Sequence, residues 1–144
     1  MGLLDNIRFN YVDSVGLVVS KIEKWRPRGC KSEKDYEKSL YTYLHKELPD
    51  IQVTKQFARG RVRADLMIGD KVLVEIKRDL NTTAKYQRLV GQIADYKDWA
   101  GSVVVLLVGE TEPNLRKQLD KYLRDEGLSD DFMIGEVEVR VFQK

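Results

Sequence analysis

Apolar residues at Leu3, Leu4, Ile7, Tyr11, Val15, Val18, Val19 and Ile22 recur every three or four positions. That spacing lays them on one stripe of an amphipathic helix and predicts a helix over 3–25, broken by Arg26-Pro27-Arg28-Gly29. A second helix is predicted from Ser32, whose hydroxyl can cap it, with Asp35 three residues on as an imperfect capping box. Its stripe is Tyr36, Leu40, Tyr43, Leu44 and Leu48, and Pro49 stops it. The period then drops to two. Segments 51–57, 61–68 and 71–77 are predicted strands, with Gly60 permitting one turn and Gly69-Asp70 making a tight second one. A helix over about 83–99 carries Leu89, Ile93 and Tyr96 inward, and Gly101 ends it. Segment 102–108 is continuously apolar after its serine, as a strand covered on both faces would be. Thr111 and Pro113 open a helix that closes near Gly127, and a last strand is predicted over 136–142.

The order α, α, β, β, β, α, β, α, β predicts an α/β fold with an α+β-type mixed sheet: a hairpin sheet joined through a helical crossover, with helices packed on it. No repeat, linker or low-complexity tract divides the chain. Its 144 residues read as one domain over 1–144, with an N-terminal helix at 3–25, a core at about 32–108 and a C-terminal helix and strand at 111–143.

Composition narrows the function classes. With 42% hydrophobic and 33% charged residues, the chain is neither disordered nor collagen-like. Its longest apolar run, 103–108, falls far short of the ~20 residues that cross a bilayer, so no membrane partner is expected. The first residues lack the basic region and apolar stretch of a signal peptide, so an intracellular, cytoplasmic protein is expected. A single cysteine, Cys30, excludes an internal disulfide or a multi-cysteine metal site, and a single histidine, His45, excludes a histidine-rich one. The net charge of +2 is unevenly placed: between 51 and 97, ten basic residues face five acids. Such a basic centre suits a localised anionic partner such as a nucleic-acid backbone, or else a solvated basic surface.

Alternation on the strands locates the chemistry. Val62, Ala64, Leu66 and Ile68 are expected on one face of the second strand, which leaves Arg61, Arg63 and Asp65 on the other. On the third strand Val72, Val74 and Ile76 share a face opposite Glu75 and Lys77. If the polar faces coincide across the Gly69-Asp70 turn, Asp65, Glu75 and Lys77 come within mutual reach. Two carboxylates and an ammonium in mid-sheet are costly to desolvate unless they pair or a cation joins them. Hard carboxylate oxygens suit Mg²⁺ or Mn²⁺; the alternative is a salt-bridged face, with Glu75 on Lys77 or Arg63 and Asp65 on Arg61. On the second helix, Glu37 lies about 60° from Leu40 and about 20° from Leu44, inside the apolar stripe. Glu33 lies on the same side one turn earlier, so either could be the helix acid. Trp25 and Trp99 are expected in the core or at helix ends, and Asn81-Thr82-Thr83, although it fits a glycosylation sequon, is expected as a helix cap.

Together, Tyr36-Glu37-x-x-Leu40-x-x-x-Leu44, Arg63-Ala64-Asp65-Leu66 and Val74-Glu75-Ile76-Lys77 resemble the helix acid, strand Asp and (D/E)-x-K strand end of the PD-(D/E)XK nuclease superfamily. Ala64 stands where the name motif has Pro. Gln92 and Tyr96 are similar to the Q-x-x-x-Y motif of several branches. The resemblance covers about three-fifths of the chain. It implies a restriction-endonuclease-like or Holliday-junction-resolvase-like core, in α-β-β-β-α-β order, extended here by the N-terminal helix and the C-terminal helix and strand. It implies Mg²⁺ or Mn²⁺ held by Asp65, Glu75 and the Ile76 carbonyl, Lys77 orienting the attacking water or stabilising the developing charge, Glu37 binding metal through water or completing a second site, and Gln92 helping to order the site or the nucleic acid. Arg59, Arg61 and Arg63 become phosphate clamps, with Lys85, Arg88 and Tyr96 also on the DNA side. The implied activity is structure-selective or weakly sequence-specific DNA endonuclease, and many relatives act as homodimers that cut both strands. The rivals are an inactive relative acting as a DNA-binding or assembly module, and an interaction protein whose charged cluster is a salt-bridge network.

Overall fold

Both faces of one sheet are apolar, so the chain covers each face with helices. The computed structural model describes residues 2–99, 101–129 and 137–144. The elements are α1 Leu3–Ile7, a π-helical turn Arg8–Val12, α2 Ser14–Lys24, α3 Glu33–Glu47, β1 Val53–Arg59, β2 Val62–Ile68, β3 Val72–Arg78, α4 Thr83–Asp95, a 3₁₀ turn Tyr96–Asp98, β4 Ser102–Val108, α5 Pro113–Asp125 and β5 Glu138–Gln143. The strands lie in the order β1-β2-β3-β4-β5. The first two pairings are antiparallel and the last two parallel. Parallel neighbours need crossovers; α4 lies between β3 and β4 in the chain, and α5 between β4 and β5. The fold class is therefore mixed α/β, as the periodicities predict. Among the described residues no helix is long and apolar enough to cross a membrane.

Leu17, Val18 and Ile22 of α2 and Leu40 and Leu44 of α3 pack on Val72, Val74, Ile76, Val104 and Leu106. Leu89 and Ile93 of α4 and Leu115, Leu119 and Leu123 of α5 pack on Leu73, Val103, Val105 and Leu107 from the other side. Strand β4 is covered on both faces, which accounts for its unbroken apolar run.

Some boundaries differ from the sequence reading. The helix expected over 3–25 is split. Asp13 leaves helical geometry (φ −157°) and its carboxylate accepts the Gly16 N–H at 2.9 Å, so it caps α2 instead of continuing α1. Leu3, Leu4 and Ile7 are consequently exposed rather than in the core. Strand β1 begins two residues late because the Ile51 N–H bonds back to the Leu48 carbonyl and closes α3. The helix expected to 99 tightens into the 3₁₀ turn after Asp95. Glu136, the expected start of the last strand, lies outside the described residues.

One departure bears on the site. Val62, Ala64, Leu66 and Ile68 are all buried, but not on one face: the first two join the α4/α5 core and the last two the α2/α3 core. On β1, Val53 and Phe57 divide the same way. The reversal falls at Asp65 and at Gln56, which lies between the Lys55–Leu66 and Phe57–Ala64 pairs and has φ +53°. A left-handed non-glycine residue is uncommon, and here it turns the hairpin over. The β2–β3 ladder pairs only Leu66–Val74 through Ile68–Val72, so the two strands part at Asp65.

Gly69 closes that short ladder. It sits at φ +60°, its N–H reaches the Gln52 carbonyl at 2.7 Å, and an added Cβ would stand 2.8 Å from the Phe9 ring. Gly69→Ala is expected to cost on the order of 1–3 kcal/mol, read as a lowered urea midpoint.

Candidate active site

Helix α3 is set by its cap: the Ser32 hydroxyl accepts the Asp35 N–H at 3.1 Å and the Asp35 carboxylate accepts the Lys31 N–H at 3.0 Å. So anchored, it buries Glu37 with Leu40 and Leu44 against the sheet. The Gln56 amide donates to both Glu37 oxygens, at 3.0 and 2.9 Å. The left-handed residue of β1 thus holds the helix acid.

Asp65 stands where β2 leaves β3. Its Oδ2 accepts the Ile76 N–H at 2.7 Å, a donor that the ladder leaves over. Extended backbone points a residue's N–H and C=O to the same side, so the Ile76 carbonyl faces the same opening. Glu75 is only 4% exposed. Its Oε2 accepts the Tyr96 hydroxyl at 2.9 Å, and Lys77 Nζ lies 3.8 Å from its Oε1.

Asp65 and Glu75 are hydrogen-bonded to each other. Burial first, and then the negative charge of Asp65, push the Glu75 carboxyl up to about 8. Burial also raises Asp65, against the Ile76 N–H that lowers it, and the Glu37 charge adds to the rise. Burial and mutual repulsion therefore favour a protonated pair over two bare charges, the rise being larger at Glu75. Two adjacent carboxylates in a poorly solvated place cannot both ionise cheaply. Burial first, and the acids around it, raise the Tyr96 phenol and keep it a hydrogen-bond donor to Glu75.

Among the described residues no three carboxylate, imidazole or thiol groups form a cluster able to hold a cation. The available donor set is smaller: two buried carboxylates held together by a proton, beside a backbone carbonyl. That set fits Mg²⁺ or Mn²⁺, which take one or two carboxylates and fill their remaining positions with water and phosphate oxygens.

The residues singled out from sequence fall in several places. Glu37, Asp65, Glu75 and Lys77 converge. Of the two helix acids, Glu37 is the one whose charge reaches Asp65; Glu33 is exposed and accepts the Arg78 N–H at 3.3 Å. Gln92 shares a cleft of about 290 Å³ with Gly60, Arg61, Arg63 and Asp95, and its Oε1 is buried with no hydrogen-bond partner among the described residues. Arg61 and Arg63 are exposed, and among the described residues neither pairs with Asp65 or Glu75. Arg59 instead lies over the Phe57 and Trp99 rings, 5.5 and 5.8 Å from their centroids. Lys85 donates to the Asp79 carbonyl at 3.0 Å and, with Lys77, Arg78 and Arg88, lines a second cleft of about 120 Å³. Tyr96 is the clear correction: expected on the DNA side, it is fully buried and orients Glu75. Trp25 and Trp99 are buried, and Thr82 caps α4 through the Lys85 N–H at 3.2 Å.

Two contributors escape sequence reasoning. Nothing in the strand pattern marks Gln56 for a left-handed turn. The role of Tyr96 had a signal, its place on the inward stripe of its helix, which already argued against a surface contact. Comparison of the chain with protein-family models, curated proteins and solved structures finds no match.

Glu75 holds its proton to about pH 8 when folded, but only to about 4.5 when unfolded. Its contribution to stability is therefore complete below pH 4.5 and is lost as the pH rises to 8. Urea unfolding in EDTA should show the wild type losing a few kcal/mol across that window, and Glu75→Gln should flatten the dependence. A wild-type profile without that decline would contradict the shared proton.

Proposed function

We propose that this chain is a cytoplasmic, divalent-cation-dependent nuclease that hydrolyses DNA phosphodiester bonds, as a structure-selective or weakly sequence-specific endonuclease. The observation that carries the reading is the Asp65–Glu75 pair beside Lys77, with Asp65 held by the Ile76 N–H and the buried Glu75 held by Tyr96; one cleft lined by Arg61 and Arg63 with Asp95, and another lined by Lys77, Arg78, Lys85 and Arg88 with Glu33, add net positive charge around it. Mg²⁺ or Mn²⁺, when bound, would acidify a water and neutralise phosphate charge.

The chain's own residues do the rest. Asp65 and Glu75 release their shared proton and present oxygens, with the Ile76 carbonyl alongside. Tyr96 fixes the Glu75 carboxyl and Gln56 fixes Glu37, so neither acid has to be reorganised. Lys77 is 19% exposed at its side chain, enough to meet an attacking water and to offset charge that grows in the transition state. Arg61 and Arg63 grip phosphates in the cleft that Gln92 also lines. A homodimer would set a second such site against the other strand.

Cation binding at pH 7 should release about one proton, seen as a buffer-dependent heat in titration calorimetry; Glu75→Gln should abolish that dependence. Lys77→Ala should keep cation and DNA binding but lose a hundredfold or more in cleavage rate on supercoiled, linear or branched DNA. Asp65→Asn should lose both cation binding and cleavage. Wild-type protein that binds DNA yet cuts none of these with Mg²⁺ or Mn²⁺ would replace this reading with that of a DNA-binding module.

A further inference from the structure

Away from the carboxylates, Lys24, Arg26, Arg28, Lys38 and Lys46 line an open groove of about 770 Å³ between the end of α2 and the outer side of α3, and no acid lines it. All five are exposed, and among the described residues none is paired with a carboxylate. The Arg26 guanidinium donates only to the Glu23 and Trp25 carbonyls, at 2.8 and 3.2 Å. Of the acids of α3, Asp35 accepts the Lys31 N–H while its charge also reaches Lys38, and Glu47 stands 4.0 Å from Lys21 while its charge reaches Tyr43; among the described residues neither forms an ion pair with the groove's basic groups. Lys144, anchored on the Glu23 carbonyl at 2.7 Å, is depressed by burial and by the charge of Arg26, so like charges crowd this end. Crowded cations cost folding stability that a polyanionic partner would recover.

Lys38, Thr42 and Lys46 recur every four residues, a row of donors about 6 Å apart along α3. Thr42 and Lys46 lie about 140° and 180° around the helix from Glu37, so the groove is separate from the carboxylate site. Its floor is Trp25, 2% exposed, and half-buried Tyr43. Trp25 Nε1 donates to the Ser39 oxygen at 3.1 Å, which leaves the Ser39 hydroxyl hydrogen to donate outward. The surface therefore offers ammonium, guanidinium and hydroxyl donors. Among its described lining residues it offers no carboxylate acceptor, and of its two aromatic rings Trp25 is buried and Tyr43 half-buried. That is the chemistry of phosphate contacts without base readout. An acidic peptide would satisfy the charges, but evenly spaced donors on a rigid helix suit a polyanion of fixed repeat.

We infer that this groove binds the sugar–phosphate backbone of a duplex DNA segment other than the one at the carboxylates. The choice of DNA as the polyanion rests on the nuclease reading. The test uses the full chain in EDTA, so that no cleavage intervenes. Binding of a labelled duplex is followed by fluorescence anisotropy across a NaCl series for wild type, for Arg28→Gln/Lys38→Gln/Lys46→Gln and for Arg61→Gln/Arg63→Gln. All three groove positions are exposed, and an unchanged urea midpoint will show that the fold is kept. The groove variant should lower the log–log salt slope by about 2 to 3, at roughly 0.9 per lost phosphate contact, and weaken binding at least tenfold at low salt. An unchanged slope overturns the inference, as does a wild type with no salt-dependent DNA binding. So does a groove variant that loses binding of polyglutamate while keeping its DNA slope, since that assigns the groove to an acidic protein segment. A wild type that cuts no DNA with Mg²⁺ or Mn²⁺, beside a groove variant with the lowered slope, removes the nuclease reading and leaves the groove standing. Cleavage with an unchanged slope does the reverse.

Discussion

Among the described residues the Ile76 N–H has no backbone partner on β2, because the β2–β3 ladder stops at Leu66 and Val74, and the side-chain carboxylate of Asp65 takes it at 2.7 Å. A carboxylate so placed is drawn out of water beside Glu75, which β3 has already buried. Neither acid can leave: one is held by the backbone, the other by Tyr96 and by its position in the most enclosed part of the sheet. The proton they share, the nearby ammonium of Lys77 and the buried Glu37 are what make such a cluster tolerable. The cluster stands toward the carboxyl end of β3, which runs parallel to β4. In open α/β sheets that end of the strands is where ligands approach.

The site was legible in the sequence to the extent that simple periods apply. Period two puts Asp65, Glu75 and Lys77 on facing positions of a hairpin, and the Gly69-Asp70 turn fixes how the hairpin folds back. A period of 100° per residue puts Glu37 inside an apolar stripe, where an acid needs a reason to be. The periods fail where the backbone leaves regular geometry. Parity assigns Ala64 and Leu66 to one face, yet the turnover at Gln56 and Asp65 sends them to opposite cores. The spacing of three and four runs unbroken through Asp13, but a short carboxylate that can cap competes with helix continuation there. Ile51 looks like strand because it is apolar, although its N–H belongs to the turn after α3. Such outcomes depend on individual hydrogen bonds, which composition does not encode.

Helix α3 separates two electrostatic environments. Toward the sheet it presents Glu37, the only buried acid on the described helices. Away from it, Lys38 and Lys46 are exposed to water. A near-neutral total therefore conceals a strong local asymmetry. A few acids sit where desolvation raises their affinity for protons or cations, and the basic groups of the outer side sit where an anion can reach them from solvent.

The hairpin reversal at Gln56 also bears on what β1 can do as an outermost strand. A long, straight, unpaired strand border is a template on which a second chain can add by backbone pairing. Here the border is interrupted after three residues, Val53 to Lys55, by a left-handed residue whose amide is committed to Glu37, and it resumes facing the other core. Neither half is long enough to align an incoming strand, and Lys55 and Arg59 place charge on each. The same backbone irregularity that seats the helix acid thus blunts the sheet against edge-to-edge association.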